Sequence, residues 1–161
     1  MLFRSTTALE VPADLRLELS YAARSPWVPT RRQFQRWADG AWASQKKAAV
    51  LSIRIVGRAQ SRRLNRSYRG KDRATNVLSF AGPGRLPNHE WMLGELVICA
   101  PVVATEARLQ QKTVQSHWAH MTVHGLLHLL GFDHEVAAQA VKMESMEVQI
   151  LDRLGFSDPY L

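Results

Sequence analysis

"VHGLLHLLGFDH", residues 123–134, is the stretch from which the rest of the chain is read. Leu126, Leu127, Leu129 and Leu130 form an apolar run suited to a buried helix, yet His124 and His128 interrupt it four residues apart. Residues at that spacing share a helix face, so both imidazoles can reach one ion at about 2.0–2.1 Å. Gly131 can take the left-handed conformation that ends a helix and turns the chain back, which brings His134 toward the same point. Three neutral imidazoles leave a fourth tetrahedral position for water, whose pKa a Zn²⁺ ion lowers to about 7. The expectation is one catalytic Zn²⁺ per chain, held by His124, His128 and His134 at the end of a helix in the C-terminal half.

Five of the six histidines lie between positions 117 and 134, a clustering that isolated packing histidines do not produce. His117 and His120 fall one turn before the ligand pair and read as donors behind it or as plain helix residues. The spacing resembles the long zinc motif of the metzincin proteases, H-E-x-x-H-x-x-G-x-x-H. Gly125, however, stands where that motif has its glutamate. Without that general base peptide hydrolysis is disfavoured, and a negatively charged substrate fits better. Asp133 and His120 are the remaining candidates for a base.

Working outward, "LRLELSYA" (15–22) and "AVLSIRIVG" (49–57) alternate as half-buried strands, and "TNVLSF" (75–80) and "GELVICA" (94–100) add two more. Between the last two, the Gly/Pro-rich "AGPGRLPNHEWML" (81–93) reads as a loop and the most mobile surface feature. Helices are predicted after Thr30, with Phe34, Trp37, Ala38, Ala41 and Trp42 on one apolar face, and over "RAQSRRLNRSYR", closed by Gly70. Further helices follow Pro101 and cover about 114–130 and 135–154. Strands early and helices late give an α+β fold: a small mixed four-stranded sheet packed with about five helices.

The 161 residues, 46% hydrophobic and 22% charged, suit one domain over 1–161 with its own core. Cys99, the single cysteine, has no disulfide partner and sits in an apolar strand, as in a protein of the reducing cytoplasm. The first residues carry no apolar stretch of signal-peptide length, and no run is long enough to cross a bilayer, so no membrane association is expected.

A formal charge of +7, from 21 Lys and Arg against 14 Asp and Glu, makes nucleic acid the leading class of partner. From Arg54 to Arg73 there are eight basic residues and one acid, and Arg58, Arg62, Arg66 and Arg69 step along one helical face. Such a ridge can track phosphates, with Lys71 beyond it, and a planar guanidinium can stabilise charge building on phosphorus. Arg69 is the candidate for that role, whereas Leu64 and Tyr68 read as core anchors on another face.

"HGLLHLLGFDH" together with "LNRSYRGKDRATNVLSF" (64–80), "GELVIC" and "LGFSDPY" closely resembles the YbeY (UPF0054) family of endoribonucleases and rRNA maturation factors. The resemblance covers most of the chain after Ala49. It implies a zincin-like fold, Zn²⁺ on His124, His128 and His134, and a functional arginine at Arg69. It further implies cleavage of single-stranded RNA, a part in late 16S rRNA 3′-end maturation and ribosome quality control, and association with the ribosome or a ribosomal protein. Asn76 and Glu95 depart from the family, each standing where many relatives have Asp. The expected chemistry is attack on a phosphodiester by metal-bound water or by the RNA's own 2′-hydroxyl, with Arg69 neutralising the phosphate. The alternatives are a non-catalytic assembly factor with a structural metal and, less compatible with Gly125, a zincin-type peptidase.

Overall fold

The alternation in "LRLELSY" becomes strand β1 (Leu15–Tyr21) in the computed structural model, which describes residues 14–45, 47–133 and 135–161. Helix α1 (Arg31–Trp42) follows, opened by a capping box in which Thr30 and Gln33 satisfy each other's backbone N–H. Its buried side chains are Phe34, Trp37, Ala38, Ala41 and Trp42, the face expected from their spacing. Then come β2 (Ala49–Val56), α2 (Arg58–Arg69), β3 (Val77–Arg85), β4 (Trp91–Cys99), α3 (Ala100–Leu109), α4 (Val114–Leu129) and α5 (Ala137–Arg153). The mixed sheet has the order β1-β2-β4-β3, with β1, β2 and β4 parallel and β3 antiparallel to β4. Among the described residues these four strands and five helices make the α+β fold expected from the sequence.

The stretch 81–93 is a correction. Rather than an open loop, it continues β3 and starts β4, with Gly84 opposite Met92 and Arg85 opposite Trp91 across a register shift. Gly82 within it and Gly94 just after it mark close approach of two backbones. A β-carbon on Gly82 would lie 2.4 Å from the carbonyl oxygen of Met92, and one on Gly94 would lie 2.3 Å from that of Phe80. Glycine in a strand therefore reads as a bulge here and not as a break.

Helix α4 is the hub. It is buried nearly all round, from His117 to Leu127, as expected of a helix in the middle of a core. Trp118 meets Phe34 of α1 edge-on at 5.9 Å between ring centroids, and Met143, Ile150 and Leu151 of α5 close the same core. A smaller apolar cluster of Val56, Leu78, Val97 and Cys99 has Leu64 of α2 and Val102 of α3 packed against it. Burial pushes the Cys99 thiol up in pKa, in keeping with its reading as a small hydrophobe.

Candidate functional site

The C-terminal end of α4 is shaped by its turn. Phe132 N donates to Leu127 O at 3.1 Å and Gly131 N to His128 O at 3.0 Å, with Gly131 at φ 96°, the paired bonds of a Schellman motif. The chain therefore doubles back immediately after His128. His134 lies outside the described residues.

His124 and His128 face one another as their spacing requires. Their Nε2 atoms are 3.1 Å apart, close to the roughly 3.3 Å that separates neighbouring donors around a tetrahedral ion with bonds of about 2.0–2.1 Å. The other nitrogen of His124, Nδ1, lies 2.8 Å from Glu147 Oε1 on α5. A carboxylate in that place accepts a hydrogen bond from Nδ1–H, which keeps the proton on Nδ1 and leaves the Nε2 lone pair for a metal. This donor set fits a Zn²⁺-type ion.

Glu147 is buried and fully engaged. Its Oε2 accepts from His120 Nε2 at 2.5 Å and from the Tyr160 hydroxyl at 2.6 Å. Burial alone would raise its pKa, but the hydrogen bonds from His120 and His124 outweigh that and hold the carboxyl at about 2. Burial lowers the pKa of His120 against the pull of Glu147, which suits a neutral ring donating its Nε2 proton. The Tyr160 hydroxyl is pushed well above its ordinary range by burial and by Glu147. His120, His124 and Glu147 together offer ligand atoms within 4.8 Å of one another and could themselves hold a metal ion.

Glu147 is the site residue that sequence reading missed, and a signal for it exists. Met143, Glu147, Ile150 and Leu151 are the buried positions of α5, so a glutamate occupies one place in an otherwise apolar stripe. Such a residue is buried only when partnered. His120 is turned to Glu147 and does not line the groove described next.

One groove of about 720 Å³ joins His124 and His128 to the basic stretch. Arg69, Lys71 and Arg73 line it together with Asn76, Ser79 and Asp133. Buried polar side chains of α2 shape that wall. Ser61 and Thr75 exchange hydrogen bonds, Oγ to the Thr75 carbonyl at 3.1 Å and Thr75 N to Oγ at 3.0 Å, and Asn65 Nδ2 donates to Arg73 O at 2.9 Å. Gly70, at φ 68°, closes α2 and starts the loop that these bonds hold.

The remaining arginines of the ridge do not line the groove. Arg62 makes a two-pronged ion pair with Asp72, at 2.8 and 2.9 Å, and holds that carboxyl below its ordinary range. Arg58 reaches Thr105 Oγ1 on α3 at 3.1 Å, and Arg66 is exposed. Tyr68, read as a core anchor, is instead 69% exposed and sits edge-on to Phe80 at 5.0 Å. It falls on the outer side of a helix whose buried residues are polar, Ser61 and Asn65.

The two departures from the family pattern have structural partners. Asn76 Nδ2 donates to Glu106 Oε2 at 3.2 Å, a contact that a carboxylate at 76 would turn into repulsion. Glu106 also faces His117 Nε2 at 3.4 Å. Burial pushes the Glu106 pKa up, but the bonds from His117 and Asn76 prevail and leave it below the ordinary value. Glu95 bridges strands to Arg54, 2.8 Å away.

Residues 26–155 match the family model for endoribonuclease YbeY. The chain belongs to the YbeY endoribonuclease family. Among solved structures, the YbeY-type chain is similar to the solution structure of TM1509 from Thermotoga maritima. The two share 20% identity, with 88% of this chain and 92% of that one covered and a TM-score of 0.54, a likeness of fold. Among the described residues, no helix of this family member is long and apolar enough to cross a membrane.

Proposed function

We propose that the chain is a single-domain, metal-dependent endoribonuclease that cuts single-stranded RNA in late 16S rRNA 3′-end maturation and ribosome quality control, working in the cytoplasm with the ribosome or a ribosomal protein. The observation that carries this reading is the shared groove: Arg69 lines the same cavity as His124 and His128. Family membership supports the class of reaction.

In this reading His124, His128 and His134 hold one Zn²⁺, with Glu147 behind His124. His120 and Glu147 serve as orienting partners because their facing atoms already satisfy one another. When bound, the ion supplies Lewis acidity toward a phosphodiester and makes nearby water a stronger acid. Arg69 places a planar, permanently charged fork against the scissile phosphate, where extra negative charge gathers as the bond breaks. Lys71 holds a neighbouring phosphate, and Arg58, Arg62 and Arg66 contribute to the longer-range positive field. Attack by water and attack by the RNA's 2′-hydroxyl leave different ends, and a cyclic phosphate product identifies the second. Asp133, on the groove wall, is the candidate base.

The test combines metal analysis with cleavage of single-stranded RNA by wild type, His124→Ala and Arg69→Ala, prepared identically to control for contaminating nucleases. Wild type is expected to bind one ion and cut, His124→Ala to lose both properties, and Arg69→Ala to keep the ion and cut poorly. Cleavage by both variants at the wild-type rate would overturn the assignment.

A further inference from the structure

We propose that Tyr160 is a positioning residue of the metal centre, its hydroxyl fixing the Glu147 carboxylate in the orientation that aims His124. The inference rests on the metal reading given above. Glu147 takes donors on both oxygens: among the described residues, Tyr160 and His120 on Oε2, and His124 on Oε1. His120 and His124 both stand on α4, one turn apart. Those two contacts constrain the carboxylate from a single helix, and Tyr160 supplies the contact from outside it.

The C-terminal segment is built to deliver that hydroxyl. Phe156 N donates to Leu151 O at 2.8 Å, and the Phe156 ring meets Trp37 edge-on at 6.2 Å, which anchors the segment to the core. Lys112 Nζ donates to the Pro159 carbonyl, and Tyr160 N to Asp158 Oδ1 at 2.8 Å. Tyr160 is 46% exposed while its hydroxyl turns inward to the buried carboxylate. Its ring stands edge-on to His120, 5.5 Å between centroids. An aromatic placed for packing alone would bury the ring, whereas this one buries its polar end.

The full-length wild type, Tyr160→Phe and His124→Ala are titrated with Zn²⁺ against a chelator, and their Co²⁺-substituted visible spectra are recorded. Tyr160→Phe is expected to bind about tenfold more weakly, as when an orienting partner of a ligand is lost, and to shift the Co²⁺ bands. A side chain that merely stabilises the fold would lower the melting temperature and leave those bands in place. Wild-type affinity and bands in Tyr160→Phe overturn the inference while the metal site stands. Undiminished binding by His124→Ala overturns the metal reading itself. Should Tyr160→Phe not fold, isotope-labelled tyrosine in the wild type gives the answer. Metal loading is expected to move the Tyr160 ring resonances and not those of Tyr21, and an unmoved Tyr160 would refute its role.

Discussion

Glu147 on α5 and His124 on α4, 23 residues apart in sequence, meet through an Oε1–Nδ1 hydrogen bond of 2.8 Å. The bond fixes which nitrogen of His124 is available to an ion. Glu147→Gln keeps the shape but not the charge, and we expect metal affinity to fall by at least about tenfold. Chelator competition measures it, and unaltered affinity would show that the carboxylate does not tune His124.

Arg69→Ala is expected to slow RNA cleavage by about 10² to 10³ while the protein still binds one metal ion. Arg69→Lys should fall between the two, because it restores the charge without the bidentate fork. Single-turnover cleavage separates the cases, and equal rates for all three proteins would remove Arg69 from the chemistry.

Gly125 is closed to larger side chains. A β-carbon there would lie 2.8 Å from Leu96 Cδ2 and 3.2 Å from Val77 Cγ2, and its carbonyl accepts from Ser79 Oγ at 3.1 Å. Restoring a protease-like glutamate by Gly125→Glu should therefore destabilise the fold by several kcal/mol, about the cost of an unpaired buried charge plus overpacking. Chemical denaturation tests this, and wild-type stability in the variant would contradict the packing.

Acid stability should carry a contribution from Glu106. Its folded pKa lies below the ordinary 4.5 because the bonds from His117 and Asn76 outweigh its burial. A depressed carboxyl pKa gives stability that is full above the ordinary value and is lost as pH falls through it toward the folded value. The melting-temperature difference between wild type and Glu106→Gln should therefore be largest near neutrality and shrink below about pH 4.5. A difference that grows on acidification would reverse the sign.

RNA affinity should fall steeply with ionic strength, as counterion release requires. Lys71→Ala, on the groove, is expected to reduce the slope of log affinity against log salt by about one. Arg58→Ala, whose side chain is engaged with Thr105, should change it less. A flat dependence in the wild type would mean that the basic stretch does not meet phosphates.

Much of the architecture was legible because its signals are local. Alternation marked the strands, Thr30 and Gly70 marked helix ends, and the four-residue spacing of His124 and His128 put both rings on one face. The failures share a cause: contacts between elements far apart in sequence. Gly82 and Gly84 read as loop residues from sequence, yet both lie against the backbone of β4. The partner of Arg62, Asp72, lies ten residues on, beyond the turn that Gly70 makes. Glu147 is linked to the histidines only through the packing of α5 on α4, and Tyr160 only through the segment after α5 that brings its hydroxyl to Glu147.

The bonds from Ser61 and Asn65 to the segment before β3 have a consequence for recognition. Single-stranded RNA surrenders much conformational freedom on binding, and a floppy cationic loop would add its own ordering cost to that. Here Thr75 and the Arg73 carbonyl are tied to α2 by buried side chains before any ligand arrives. The backbone of the wall that presents Arg73 is thus tied down by folding itself, and the binding step is left to order the nucleic acid and the cationic side chains that meet it.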